Sequence, residues 1–282
     1  MVVGVQISRP FKLLNTLKRG EKMYRIMTSN IWGDYFGNEV ETREKGLYDT
    51  FVRYNPDVLG VQEITKGWHE SKLMTEWMPG AGYKILDDSG ELINYTTLLV
   101  KDDKWNVLES GYERLESTED KSKSIQWAAL EDKQTGKIIG VCNTHFEWRS
   151  GEEFDLRRES NANQICDRMD YIQKKYGCEV FAFGDMNANF SKSIFRVYNE
   201  RNAVCLHTLA DKRSDFCTHH GDPVRGEDGL CHGKKAVLPF ERSIDHIIAL
   251  NGSFKVLCYT IVDDPDVLDS TDHSPVFVDI EL

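Results

Sequence analysis

The chain has 282 residues, 40% hydrophobic and 29% charged, an ordinary globular composition with room for one large domain or two small ones. Lys plus Arg number 35 against 46 Asp plus Glu, a formal net charge of -11. That balance argues against tight non-specific binding of long duplexes unless a local basic groove or bound cations reverse the field, and no run is apolar for long enough to span a bilayer.

The first 22 residues, "MVVGVQISRPFKLLNTLKRGEK", form a basic tail. Ser8, Arg9 and Pro10 interrupt its apolar stretch, so it lacks the continuous centre of a signal peptide. It reads either as a short amphipathic surface helix around Phe11, Leu14 and Leu17 or as sequence upstream of a start at Met23. A tail over 1–22 and a single domain over 23–282 are therefore expected. Strands follow at 24–32 and 57–62, with a helix between them over 39–54, where Val40, Leu47, Phe51 and Tyr54 recur at helical spacing and Asn55-Pro56 ends it. A weaker helical pattern covers 67–78. Strand patterns at 83–86, 96–100, 105–108, 124–131 and 137–144 come next, the last two joined by a hairpin turn with Gly136 at the bend. In 153–176, Ala162, Ile165, Met169, Ile172 and Tyr176 mark one buried helical face, which is core packing. After the strand 179–184 come a weak helix over 190–200 and a long irregular loop, 211–243. Strands at 245–250, 254–262 and 275–282 complete the pattern. Many strands, few helices and a hairpin predict mixed sheets with helices outside.

The seven cysteines are odd in number, scattered and partly embedded in apolar runs. They read as reduced thiols in a reducing compartment, hence a cytoplasmic location. Cys217, His219, His220, Cys231 and His232 cluster in the long loop. A zinc site there is conceivable, but the spacing matches no standard finger, and the abundance of Gly and Asp favours a surface loop. That loop directly precedes Asp245, so it is expected beside the functional site, where it would govern substrate choice.

The stretch "FAFGDMNANF" (181–190) loads the end of a core strand with Gly184, Asp185 and Asn187. A turn would explain this by itself. The same habit recurs, however. Asn30 closes the first strand, Glu63 follows "DVLGVQ", and His145 follows "VCNT". Asp245 opens "DHIIAL", and Asp272 and His273 directly precede "PVFVDIEL". If the last two strands run antiparallel to the others, all these groups meet on one rim. Carboxylates and amides offer the oxygen donors that Mg²⁺ prefers, and two histidines can contact phosphate oxygens or move protons. Such a set suits metal-assisted attack of water on a phosphate ester.

The segments "TSNIW", "DVLGVQE", "NTHFEWR", "GDMNA", "SIDHII" and "STDHSPV", in this order, resemble the motifs of the endonuclease/exonuclease/phosphatase superfamily, from about Met23 onward. The resemblance implies an α/β fold, a four-layer α/β sandwich in which two packed mixed β-sheets are flanked by helices. It implies a Mg²⁺-dependent phosphoric ester hydrolase, with Mn²⁺ as substitute, most simply a phosphodiesterase or nuclease. The alternative substrates are sugar phosphates, inositol phosphates or sphingomyelin-like head groups, and the alternative from another class is a non-catalytic binding protein. Nucleic acid is an expected substrate class, and a monomer is expected. By the same resemblance Glu63 is the principal metal ligand, Asn30 holds the metal shell or the phosphate, and Asp272 completes the metal environment. Asp185 draws the proton from water while Asn187 holds that water or a phosphate oxygen. His273 contacts the phosphate as base or clamp, oriented by Asp245. His145 stabilises developing charge or protonates the leaving oxygen. Tyr95 and Arg158 are candidate phosphate-side groups, with core packing and a salt bridge as their plain readings. Trp32 and Trp148 are candidate stacking walls, with core packing as the alternative. Thr271 and Met186 depart from the commonest residues of the motifs but remove no chemical group.

Overall fold

The computed structural model describes residues 22–227 and 231–282. The amphipathic stretch around Phe11, Leu14 and Leu17 lies outside them. In chain order the strands are β1 (Met23–Asn30), β2 (Val58–Gln62), β3 (Tyr83–Leu86), β4 (Leu98–Lys101) and β5 (Trp105–Arg114). Next come β6 (Ser124–Asp132), β7 (Ile138–His145), β8 (Glu179–Asp185), β9 (Ala203–Cys205) and β10 (Lys212–Arg213). β11 (Val224–Arg225), β12 (Cys231–His232), β13 (Asp245–Leu250), β14 (Lys255–Ile261) and β15 (Val276–Glu281) follow.

Two mixed sheets result. One has seven strands in the order β10-β14-β15-β1-β2-β4-β3, the other six in the order β5-β6-β7-β8-β13-β9. β1 runs parallel to β2 and antiparallel to β15; β8 runs parallel to β7 and antiparallel to β13. The condition for a shared rim is therefore met. The C-terminal ends of β1, β2, β7 and β8 lie at the same edge as the N-terminal ends of β13 and β15.

Strand alternation decides what each face buries. Tyr24, Ile26, Phe181, Phe183, Ile247, Val276 and Val278 form the layer between the sheets. The residues that alternate with them face outward. Met27, Leu59 and Phe277 pack with Leu47 and Phe51 of the helix Glu44–Tyr54. Val180, Ala182 and Ile248 pack with Ala162, Ile165 and Met169 of the helix Glu152–Tyr176. Helix, sheet, sheet and helix make four layers. Asn30, His145, Asp185 and Asp245 continue the inward phase of their strands to the rim. The local pattern that buries Phe181 and Phe183 thus also aims Asp185 into the cleft.

The sheets are tied by polar groups just below the rim. Asn143 donates through Nδ2 to the carbonyls of Val61 and Thr97, and Gln62 Nε2 donates to Asn143 Oδ1 at 2.6 Å and to Thr28 Oγ1 at 2.9 Å. Gly60 makes this approach feasible: a Cβ there would stand 2.4 Å from Phe183 and 2.7 Å from the Asn143 amide. The helix expected over 39–54 begins only at Glu44, after a turn at Val40–Arg43. The weak pattern over 67–78 becomes a short α-helix, Lys66–Glu70, and a π-turn, Leu73–Trp77. Within the long loop, β10 adds to the edge of the first sheet and β11 pairs with β12. No helix among the described residues is long and apolar enough to cross a membrane.

Candidate active site

Asp185 sits at the centre of the rim. Register places it beside His145 of β7 on one side and Asp245 of β13 on the other. The amide of Asn30, from the facing sheet, donates to Asp185 Oδ2 at 3.0 Å and to Glu63 Oε1 at 3.1 Å, and so joins the two sheets at the site. Asn30 Oδ1 accepts from the Trp32 backbone N–H. Its nitrogen thus bonds both carboxylates, and its oxygen is the atom that the expected metal-shell role would use. Glu63 lies one residue beyond the inward-facing Gln62 and by alternation would turn away. Its left-handed backbone, φ 63°, breaks the alternation, and its second oxygen accepts from Gly33 N–H at 2.8 Å. Trp32 (φ 56°) and Asn187 (φ 48°) adopt the same rare conformation at this rim. Asn187 donates its side-chain amide to the Phe146 carbonyl and its backbone N–H to Asp185 Oδ1.

His273 Nδ1 bonds to Asp245 Oδ2 at 2.9 Å. Its Nε2 then faces Asp185 and Asp272, 4.0 and 3.9 Å away. The long loop reaches this point. Thr218 accepts the N–H groups of Ile244 and Asp245, His219 bridges to His273 with ring centroids 4.8 Å apart, and His220 N–H donates to the Asp272 carbonyl. The thiols of Cys217 and Cys231 enter no close group of three donors among the described residues. Among the described residues the close donor groups are His219 with Asp272 and His273, and Asp185 with Asp245 and His273. Cys217 is buried and its Sγ contacts the His219 carbonyl.

The site holds more acid than base. Burial, with repulsion from Asp245, pushes Asp185 up to about 7. Burial raises Asp272 to about 6 against the pull of the His273 charge, and Glu63 adds to the rise. Burial would neutralise His273, but Asp245 and Asp272 outweigh it and hold the imidazole well above its usual range, as a cation. Burial, Lys123 and His273 together push His145 well below the histidine range.

Glu63, His145, Asp185, Asp272 and His273 open into one cleft of about 590 Å³, lined also by Trp32, Tyr35, Tyr95 and Trp148. Trp148 is 62% exposed, so core packing is not its role. Trp32 faces the cleft with the Arg43 guanidinium 5.1 Å behind its ring. Arg158 is not brought to the cleft. It is buried, and its guanidinium donates to the carbonyls of Glu147 and Arg149 and to Asp155. The reason is its place nearly two turns into a helix whose start packs under the 146–150 loop. Sequence reasoning missed Lys123, which lines the cleft beside His145. Lys123 immediately precedes β6, which is antiparallel to β7, so the strand-end test that found Asp245 would have found it too.

Solved structures share this fold. An endonuclease/exonuclease/phosphatase family protein from Bacteroides thetaiotaomicron superposes with TM-score 0.75 over 94% of this chain and 99% of that one, at 18% identity. A mannosyl-6-phosphatase from the same organism gives 0.72 over 91% and 99%, also at 18% identity. The catalytic domain of human Nocturnin, with a bound sulfate anion, gives 0.69 over 92% and 94% at 16% identity. No protein-family model and no curated protein matches the sequence. The fold is thus that of the endonuclease/exonuclease/phosphatase proteins.

Proposed function

We propose that this chain is a divalent-metal-dependent hydrolase of phosphate esters, with phosphodiesters as its first candidate substrates. The observation that carries the reading is the convergence of both sheets on Asp185: Asn30 ties it to Glu63, while the Asp245–His273 pair stands across from it. The fold neighbours support it, being named as a phosphatase and as endonuclease/exonuclease/phosphatase proteins.

The donor set fits a hard cation. Glu63 and Asp272 present carboxylates near enough for one to raise the other's proton affinity, and neither is paired with a Lys or Arg among the described residues. These two residues would hold the ion, which when bound supplies charge neutralisation and polarises a phosphoryl oxygen. The remaining work falls to the protein. Asp185, with its proton affinity raised toward neutrality, accepts the proton of the attacking water. Asn187 is held beside it by two hydrogen bonds and presents its amide oxygen to that water. Cationic His273 donates from Nε2 to a phosphoryl oxygen, where charge builds in the transition state. Trp32, Tyr35, Tyr95 and Trp148 offer ring faces to the group esterified to the phosphate.

The test is an activity panel at saturating Mg²⁺ and Mn²⁺, with chelator controls. It spans oligonucleotides, a generic aryl phosphodiester and its monoester, sugar phosphates, inositol phosphates and sphingomyelin. Turnover of at least one ester should disappear with chelator and in Asp185→Asn and Glu63→Gln. Chelator-resistant turnover, or none on any ester by a folded protein, would end this reading. A monoester preference within the panel would retain the chemistry and move the substrate class.

A further inference from the structure

Lys123 is 3% exposed and precedes β6 at the rim. Its Nζ lies 2.8 Å from His145 Nε2, and His145 Nε2 lies 3.4 Å from Asp185 Oδ2. Lysines buried this far are ordinarily paired with a carboxylate. Lys123 has no such pair among the described residues; its one side-chain hydrogen bond is to the imidazole. Burial drives the ammonium toward neutrality, and the more distant charges of Glu63, Asp120, Asp185 and Glu147 oppose it. A buried cation left short of an anion, on the wall of a cleft, is a place where an anion binds favourably.

The hydrogen-bond inventory then assigns the imidazole. An ammonium has three protons and no lone pair, so at this contact Lys123 donates and His145 Nε2 accepts. The ring proton is therefore on Nδ1, which is buried without a partner. A ring in this state has no proton at Nε2 to give to a leaving oxygen. Two protons of Lys123 remain, and the residue lines the cleft that Asp185 and Asn187 also line.

We infer that Lys123 is a substrate-binding residue whose ammonium meets a non-bridging phosphoryl oxygen, and that His145 is a positioning residue, a neutral acceptor that holds the lysine in place. The inference rests on the phosphate-ester reading for the identity of the anion, and its test separates the two. Calorimetry with inorganic phosphate at saturating Mg²⁺ reads the anion contact without turnover. Lys123→Met should weaken phosphate about tenfold or more, the scale of one charge-assisted hydrogen bond, and Lys123→Arg should keep most of the affinity. Lys123→Gln repeats the measurement should the methionine variant prove unfolded by circular dichroism. For His145 the discriminating pair is Ala and Gln. A glutamine oxygen can accept from Lys123 but cannot act as an acid. His145→Gln should therefore recover much of the kcat/KM lost in His145→Ala, with the parent's pH profile. Equal losses in both variants together with a missing pH limb would make His145 the acid and overturn the inference. Phosphate binding unchanged by loss of the Lys123 charge, or no phosphate binding by the parent chain, would overturn it as well. Phosphate binding that depends on Lys123 in a chain that hydrolyses no ester would leave this assignment standing and remove the hydrolase reading.

Discussion

The 2.9 Å hydrogen bond between His273 Nδ1 and Asp245 Oδ2 decides which ring nitrogen meets the cleft and keeps the ring charged. Burial alone would strip the proton; the charges of Asp245 and Asp272 more than reverse that. His273→Ala is expected to lower kcat by on the order of a hundredfold, the loss of one strong transition-state donor. Asp245→Asn should lose a large share of the same effect, and the double variant should be little worse than His273→Ala, because the two act as a unit. A cycle on kcat at saturating metal checks this; additive losses would detach Asp245 from His273. The pH sign follows. In the proposed mechanism the cation is the working form, and Asp245 raises its pKa, so Asp245→Asn should move the alkaline limb of kcat/KM to lower pH. Asn30 and Glu63 show the same economy of placement. One amide orients two carboxylates, and one left-handed residue turns the second of them back into the cleft.

Two elements hold these residues in register. The first is β2, where Gly60 lets Phe183 and Asn143 of the other sheet close on the backbone. Gly60→Ala would insert a methyl group into that contact, and overpacking of this kind costs about 1–3 kcal/mol. Urea unfolding should show the lowered midpoint, and the loss should extend to activity, since Asn143 lies two residues before His145. The second is the 146–150 segment, which carries Trp148 to the cleft. Glu147 is buried there, and Arg149 and Thr118 bond its carboxylate while Arg158 bonds its carbonyl. Burial would raise the Glu147 pKa, but the Arg149 and Thr118 hydrogen bonds prevail and hold it at about 2, below the ordinary 4.5. A depressed folded-state pKa contributes stability that is present above the unfolded value and is lost as pH falls through the folded one. Glu147→Gln should therefore destabilise the protein at pH 7, and the gap should close as pH drops from about 4.5 toward 2. Denaturation midpoints of the two proteins across that window are the check; a gap that persists at the acid end would exclude the ion pair as its source.

At the scale of the molecule, a net charge of -11 surrounds a cleft that itself carries Glu63, Asp120, Asp185 and Asp272. Such a site is electrostatically uncomfortable without cations, so metal should bind the folded chain and stabilise it. At a hundred times its dissociation constant a ligand of the folded state adds about 2.7 kcal/mol. Thermal unfolding at neutral pH should rise with Mg²⁺ and with Mn²⁺, and the rise should be much smaller in Glu63→Gln. An equal rise in both proteins would place the ion elsewhere. On the phosphate-ester reading the same field would favour a small or single-stranded ester over a long duplex.

What can be read along the chain is whatever repeats locally. Continuous apolar runs identify β1, β7, β8 and β13 as buried strands, and the polar residues at their ends mark Asn30, His145, Asp185 and Asp245. A run and the residue that ends it are local features and need no partner strand, which is why those residues, and the mixed sheets, are legible in the amino-acid order alone. Partner and direction are not local. That β13 runs antiparallel to β8 and β15 antiparallel to β1, bringing Asp245 and His273 to the rim, depends on hydrogen bonds between segments far apart in sequence. The path that brings His219 against His273, and the carbonyls that draw Arg158 away from the cleft, depend likewise on distant packing. Tertiary structure alone decides them, because a side chain with several donors takes whichever acceptors the assembled fold puts within reach.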